Sequence, residues 1–116
     1  MNDNVVKDKS LEFAVRIVNL YKFLVNEQKE FVMSKQILRS GTSIGANIRE
    51  AEQAQSRADF INKLNIALKE ANETEYWLEL LIRTEYITRE QYESINNDST
   101  EINKLLISII KTTKNT

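Results

Sequence analysis

The chain contains no cysteine and no histidine. The first absence rules out disulfides, thiol chemistry and cysteine-ligated zinc. The second removes imidazole acid–base catalysis, the Ser-His-Asp triad and every histidine metal ligand, including the Glu-x-x-His pairs of four-helix di-iron proteins. Proline is also missing and glycine occurs twice, so the two strongest helix breakers hardly interrupt the 116 residues. Charge of one sign is not in excess, with 16 basic and 17 acidic residues, and a bulk pull toward nucleic acid or membrane is not expected. No run approaches the ~20 apolar residues of a membrane span, and Met1 to Lys9 lacks the apolar core of a signal peptide. A cytoplasmic protein without a membrane partner is expected.

What remains is an ordinary globular composition, 41% apolar and 28% charged, long enough to bury one core without staples. One domain over 1–116 is expected, with polar tails at 1–9 and 113–116. Apolar residues at helical spacing mark four segments. The first runs from about Ser10 to Gln28, with Leu11, Ala14, Ile17, Val18, Tyr21, Leu24 and Val25 on one face. The second, about Val32 to Gln55, turns Met33, Ile37, Leu38, Ile44, Ile48 and Ala51 to one side together with Gly41 and Gly45. The third spans about Arg57 to Thr84, and its Phe60, Leu64, Ala67, Ala71, Thr74, Leu78 and Leu81 alternate four and three apart as a heptad seam. The fourth, about Arg89 to Thr112, has Tyr92, Ile95, Ser99, Ile102, Leu106 and Ile109 as its seam. Ser56 with Asp59 and Thr88 with Gln91 have the spacing of capping boxes. The links, Glu27 to Phe31, Ala54 to Arg57 and Glu85 to Thr88, are short, which makes successive helices antiparallel neighbours. The expected fold is an all-α, antiparallel, up-down-up-down four-helix bundle.

Four features bear on function. Ser40-Gly41-Thr42-Ser43-Ile44-Gly45-Ala46 is nearly all small residues inside a helical period. Glycine there costs roughly 1 kcal/mol against alanine, which close packing of another helix at Gly41 and Gly45 would offset. The rival, a phosphate-binding glycine loop, lacks the Gly-Lys-Ser/Thr tripeptide and a preceding strand. On the opposite face Lys35, Arg39 and Arg49 align with Thr42, Ala46 and Gln53 between them, either a phosphate-contacting stripe or a solvated face. Ile66, Trp77 and Leu80 point away from the third seam or lie at its far edge and are candidates for an oligomer interface, tryptophan being common at interface hot spots; the alternative is that Trp77 folds over a helix end and Ile66 is simply exposed. Glu70, Glu73, Glu75 and Glu79 read as a solvated carboxylate face, with Glu75 placed at the seam's edge to pair with a base such as Arg16 or Lys22. Their alternative, a carboxylate metal site, predicts metal-dependent stability. The four tyrosines, at 21, 76, 86 and 92, read as packing residues. No catalytic residue, cofactor, metal ligand or small-molecule substrate is implied.

Three strings carry a resemblance: Leu38-Arg39-Ser40-Gly41-Thr42-Ser43-Ile44-Gly45-Ala46-Asn47-Ile48-Arg49-Glu50-Ala51, Asp59-Phe60-Ile61-Asn62-Lys63-Leu64, and Ala67 through Leu78. From about Lys9 to Lys111 the chain resembles the bacterial four-helix-bundle family named after proteins encoded in intervening sequences of 23S ribosomal RNA genes, also labelled S23 ribosomal protein. The resemblance implies an antiparallel bundle assembled as a ring-like homopentamer, without enzyme activity. A similar accessory protein of diversity-generating retroelements binds nucleic acid and a reverse transcriptase, which extends the expectation to RNA or DNA as a partner. Many relatives carry proline where this chain has Gly45, and Ala-Glu-Gly where it has Arg49-Glu50-Ala51, which places it on a different branch. Its acidic balance also departs from the strongly basic character of ribosomal proteins. The expected function is a non-enzymatic oligomeric adaptor touching RNA or DNA; the alternative is a protein-interaction scaffold with no nucleic-acid role.

Overall fold

Every helix begins with N–H groups that have no acceptor inside the helix, so its start is set by whatever residue supplies one. A computed structural model of the chain describes residues 2–116, with side chains from Val5 onward, and places four helices: α1 Asn2–Asn26, α2 Met33–Ala51, α3 Arg57–Arg83 and α4 Arg89–Lys114. Ser56 Oγ accepts from the Asp59 N–H at 3.0 Å and starts α3. Thr88 and Gln91 form the complete reciprocal capping box of α4, at 3.1 and 2.8 Å.

The start of α2 carries no sequence signal of that kind. Its acceptor is the Glu30 carboxylate, which takes the N–H groups of Val32, Met33 and Ser34 at 3.1, 2.9 and 2.7 Å while Ser34 Oγ donates back to the Glu30 carbonyl. Glu30 is only 7% exposed. Burial pushes its carboxyl up, but the three backbone donors and the Ser34 hydroxyl outweigh that and hold it below the ordinary glutamate value of 4.5. At its other end α3 closes with the paired bonds of a Schellman motif, Tyr86 N–H to the Leu81 carbonyl and Glu85 N–H to that of Ile82. Glu85 takes the left-handed position that glycine usually fills, at φ 66°.

Short links make the helices alternate in direction. Each packs on its neighbours in sequence, α4 returns to α1, and among the described residues the backbones of the diagonal pairs make no close approach, so the bundle is square in section and 47 Å long. The seams of α3 and α4 fall where the periodicity puts them: Leu64, Ala67, Ala71, Thr74, Leu78 and Leu81 are buried, as are Ile95, Ser99, Ile102, Leu106 and Ile109, while Phe60 and Tyr92 at the starts of the two seams are half-buried.

The first helix differs from expectation in two ways. It begins at Asn2, so residues 2–9 are helix rather than tail, and α4 likewise runs on to Lys114. Met1, the first residue of the expected tail, lies outside the described residues. The buried face of α1 is Val6, Ser10, Phe13, Ile17, Leu20 and Leu24. These alternate four and three apart, and Lys7, Asp8 and Lys9 fall off that seam, which is why a polar stretch can be helical here. Leu11, placed on the core face by the sequence, is 50% exposed, and Val15 beside it 55%. Two apolar stripes overlap on α1, and packing chose the one holding Phe13.

The helices α1 and α2 approach most closely at the glycines. A Cβ on Gly41 would lie 2.7 and 2.8 Å from two side-chain carbons of Ile17, and one on Gly45 would lie 3.2 Å from Ser10 Oγ. Ile17 is fully buried and has nowhere to retreat. Gly41→Ala is therefore expected to lower stability by about 1 kcal/mol, overpacking of roughly 1–3 kcal/mol exceeding the ~1 kcal/mol gain in helix propensity. Gly45→Ala would meet the Ser10 hydroxyl, itself bonded to the Lys7 carbonyl, and the Ser10 carbonyl at 3.4 Å; the small shift this asks for offsets the gain in helix propensity, so it should stay within about 0.5 kcal/mol of neutral. Urea unfolding midpoints measure both; a stabilised Gly41→Ala would contradict the close approach. Because Glu30 is more acidic folded than unfolded, its contribution is complete above 4.5 and is lost as pH falls through the lower folded value. Glu30→Gln is expected to cost about 1–2 kcal/mol at pH 7, the gap from the parent narrowing in acid.

Candidate nucleic-acid interface

Seating Gly41 against α1 fixes which residues of α2 face outward. At about 100° per residue, Lys35, Thr42, Ala46 and Arg49 turn away from Ile37, Ile44 and Ile48 in the core. Lys35 and Arg49 are exposed, and among the described residues neither has an ion-pair partner. At 1.5 Å per residue they are about 21 Å apart along the helix. The small side chains between them leave the face shallow; Thr42 turns its hydroxyl back onto the Leu38 carbonyl at 2.7 Å.

Arg39 is not free in the way the stripe predicts. Its guanidinium reaches across to α3, with Nη1 3.2 Å from Glu70 Oε1 and Nη2 on Glu73 Oε2. Glu73 Oε2 also accepts from the indole N–H of Trp77 at 3.0 Å. The Arg39 bond, then the indole bond, holds the Glu73 carboxyl below its ordinary range, and the same bond to Glu73 leads the causes that raise Arg39. The antiparallel hairpin of α2 and α3 sets this register: residues roughly equidistant from the link at Gln55 meet, so Glu50 faces Lys63 at 3.6 Å and Ser40 meets Thr74 at 3.0 Å. That equidistance was the signal that could have paired Arg39 with Glu73 from the sequence.

The other acidic residues of α3 are engaged as well, rather than forming a uniformly solvated face. Glu79 pairs with Arg83 at 2.9 Å. Glu75 meets neither Arg16 nor Lys22. Its Oε2 accepts from Ser99 Oγ at 3.0 Å and Asn103 Nδ2 at 2.7 Å on α4, while Arg16 binds Asp98 at 2.7 Å and Ser94. Asn103 Oδ1 is buried without a partner among the described residues. No group of three or more acidic side chains among the described residues is placed to hold a metal ion. No helix there is long and apolar enough to cross a membrane.

The candidate interface residues Ile66, Trp77 and Leu80 are half-buried. Trp77 packs on the core cluster and stacks edge-on against Tyr76, with ring centroids 5.0 Å apart. The large apolar groups that do face outward include Tyr76, at 59%, with Leu11 and Val15 on α1. Tyr76 was expected to pack and instead presents its ring to the surface. Leu11 lies beside the outer face of α2, sharing a shallow depression with Thr42, Ala46 and Arg49.

Comparison with known proteins agrees with this architecture. A family model described as 23S rRNA-intervening sequence protein matches residues 2–108. A 1.70 Å crystal structure of a protein with unknown function from the S23 ribosomal protein family of Bacteroides thetaiotaomicron VPI-5482 is similar at 99% identity and a TM-score of 0.95, over 96% of this chain and 99% of that one. No curated protein matches the chain.

Proposed function

The chain belongs to the 23S rRNA-intervening sequence protein family, and on that premise we propose that it is a cytoplasmic, non-enzymatic, oligomeric adaptor that contacts RNA or DNA phosphates through the outer face of α2. The observation that carries this reading is the pair Lys35 and Arg49, exposed and unpaired among the described residues, on a face kept shallow by Thr42 and Ala46. Phosphate contact needs cations that are not already neutralised, and in a chain of near-zero net charge a local pair of this kind supplies them. The oligomer, a ring of five by family resemblance, would cover the apolar groups Leu11, Val15 and Tyr76. Ile66 and Leu80, half-buried on α3, would lie at the margin of such a contact.

A second reading, a protein-interaction scaffold, is favoured by those same apolar groups, of which Leu11 borders the basic face. Salt separates the two. Binding to duplex DNA and structured RNA should weaken with salt at a slope of about −2 per engaged subunit, for two neutralised phosphates on duplex DNA, and should be lost in a Lys35→Glu, Arg49→Glu variant. Absence of binding at low salt from the assembled protein would retire the adaptor reading. Light scattering at micromolar concentration should give a mass several times 13.5 kDa, lowered by Leu11→Glu with Val15→Glu; a monomeric parent would remove the oligomer.

A further inference from the structure

We propose that Glu70 and Glu73 compete with phosphate for Arg39, so that the third cation of the α2 outer face is withheld until a polyanion displaces the two carboxylates. This rests on the nucleic-acid reading above and concerns the regulation of that same face.

Arg39 lies one turn from Lys35 on α2, yet both arms of its guanidinium are occupied from α3: Nη1 by Glu70, whose oxygens are 3.2 and 3.4 Å away, and Nη2 by Glu73. A guanidinium satisfied by two carboxylates presents no net positive charge to a third anion. The arrangement is nonetheless open to exchange. The Arg39 side chain is 49% exposed, so a phosphate oxygen can reach the outer edge of the fork without unpacking the bundle. Partly solvated ion pairs of this kind contribute about 0.2–1 kcal/mol each, and two of them set a threshold that a polyanion held at Lys35 and Arg49 can overcome. Once displaced, Glu73 keeps the indole N–H of Trp77, and Glu70, whose side chain is 21% exposed, can turn its carboxylate toward solvent. Register holds the competitor in position, since the neighbouring pair Ser40 and Thr74 is fully buried and joins α2 to α3 next to this site.

Trp77 is the only tryptophan, and its indole N–H is bonded to the carboxylate that Arg39 holds, so loss of the guanidinium from Glu73 changes the field at the indole and is expected to shift its emission. The test compares the parent, Glu70→Gln with Glu73→Gln, the same pair with Arg39→Gln added, and Glu79→Gln, each on duplex DNA over a salt series, with circular dichroism and light scattering to verify fold and mass. Glu79→Gln removes a charge from the same helix without touching Arg39, because Glu79 is paired with Arg83. Freeing Arg39 is expected to tighten binding roughly 2- to 30-fold at low salt, two exposed pairs being removed, and to steepen the slope by about one phosphate. Adding Arg39→Gln should abolish the gain, Glu79→Gln should leave the slope unchanged, and DNA should change the Trp77 emission of the parent once it displaces Glu73. A parent that fails to bind at low salt would retire the adaptor reading and the competition with it, whatever the glutamine variant does. A parent that binds with Lys35 and Arg49 alone, and a glutamine variant that binds no better, would overturn the competition and leave the adaptor reading standing. A gain that survives Arg39→Gln would also overturn it, as a general charge effect. Failure of both proteins to bind would remove the reading and the competition together.

Discussion

Ile17 of α1 occupies the space that any side chain at position 41 of α2 would need. That contact sets both the separation of the two helices and the rotation of α2 about its own axis. Once Gly41 faces α1, the preceding residue, Ser40, is turned toward α3, where it meets Thr74, and Arg39 beyond it reaches Glu70 and Glu73. Lys35 and Arg49 are left on the side away from the core. A different rotation would bury one of these charges or bring Arg39 to the open face. Two glycines in a helix are a local cost of roughly 1 kcal/mol each, and the close approach they permit positions every charged residue of the candidate surface.

Electrostatics then sorts residues that composition treats alike. Sixteen bases and seventeen acids nearly cancel across the molecule, but cancellation happens pair by pair and only where the register brings opposite charges within reach. Lys7 with Glu52, Lys9 with Glu101, Arg16 with Asp98 and Lys63 with Glu50 link neighbouring helices, and each is at least partly solvated, so none is a large contribution to stability. Their consequence is subtractive: they remove cations from the set available to a partner. Buried Glu30 is the opposite case. Its charge is satisfied by peptide N–H groups rather than by a base, and it ties the α1–α2 link to the first turn of α2.

The first helix has more apolar surface than one core-facing stripe can bury. Phe13 and Leu20 take the interior, and Leu11 and Val15 remain outside, Leu11 beside the shallow face of α2. In a bundle whose helices approach closely only around the ring, a helix with two apolar stripes has one without an intramolecular partner. That surplus sits next to the basic face, so the geometry of any assembly and of any phosphate contact are linked through α1 and α2.

Periodicity, the near-absence of helix breakers and the capping residues Ser56, Thr88 and Gln91 determined four helices, their order and the seams of α3 and α4, because each of these is a property of residues within one turn or one heptad of each other. The small-residue run at Gly41 and Gly45 likewise told where α2 would meet another helix closely, though not which one. The choice between two stripes on α1 was left to packing, since a helix carrying both is equally periodic either way and only the volume available to Phe13 and Leu20 distinguishes them. Glu30 as the cap of α2 depended on a left-handed turn at Lys29 that no local glycine announces. Whether Arg39 was a free cation or half of an ion pair, and whether Glu75 faced a base or the Ser99 and Asn103 of α4, was decided by the register between helices, a distance between residues far apart in sequence that exists only once the core has packed.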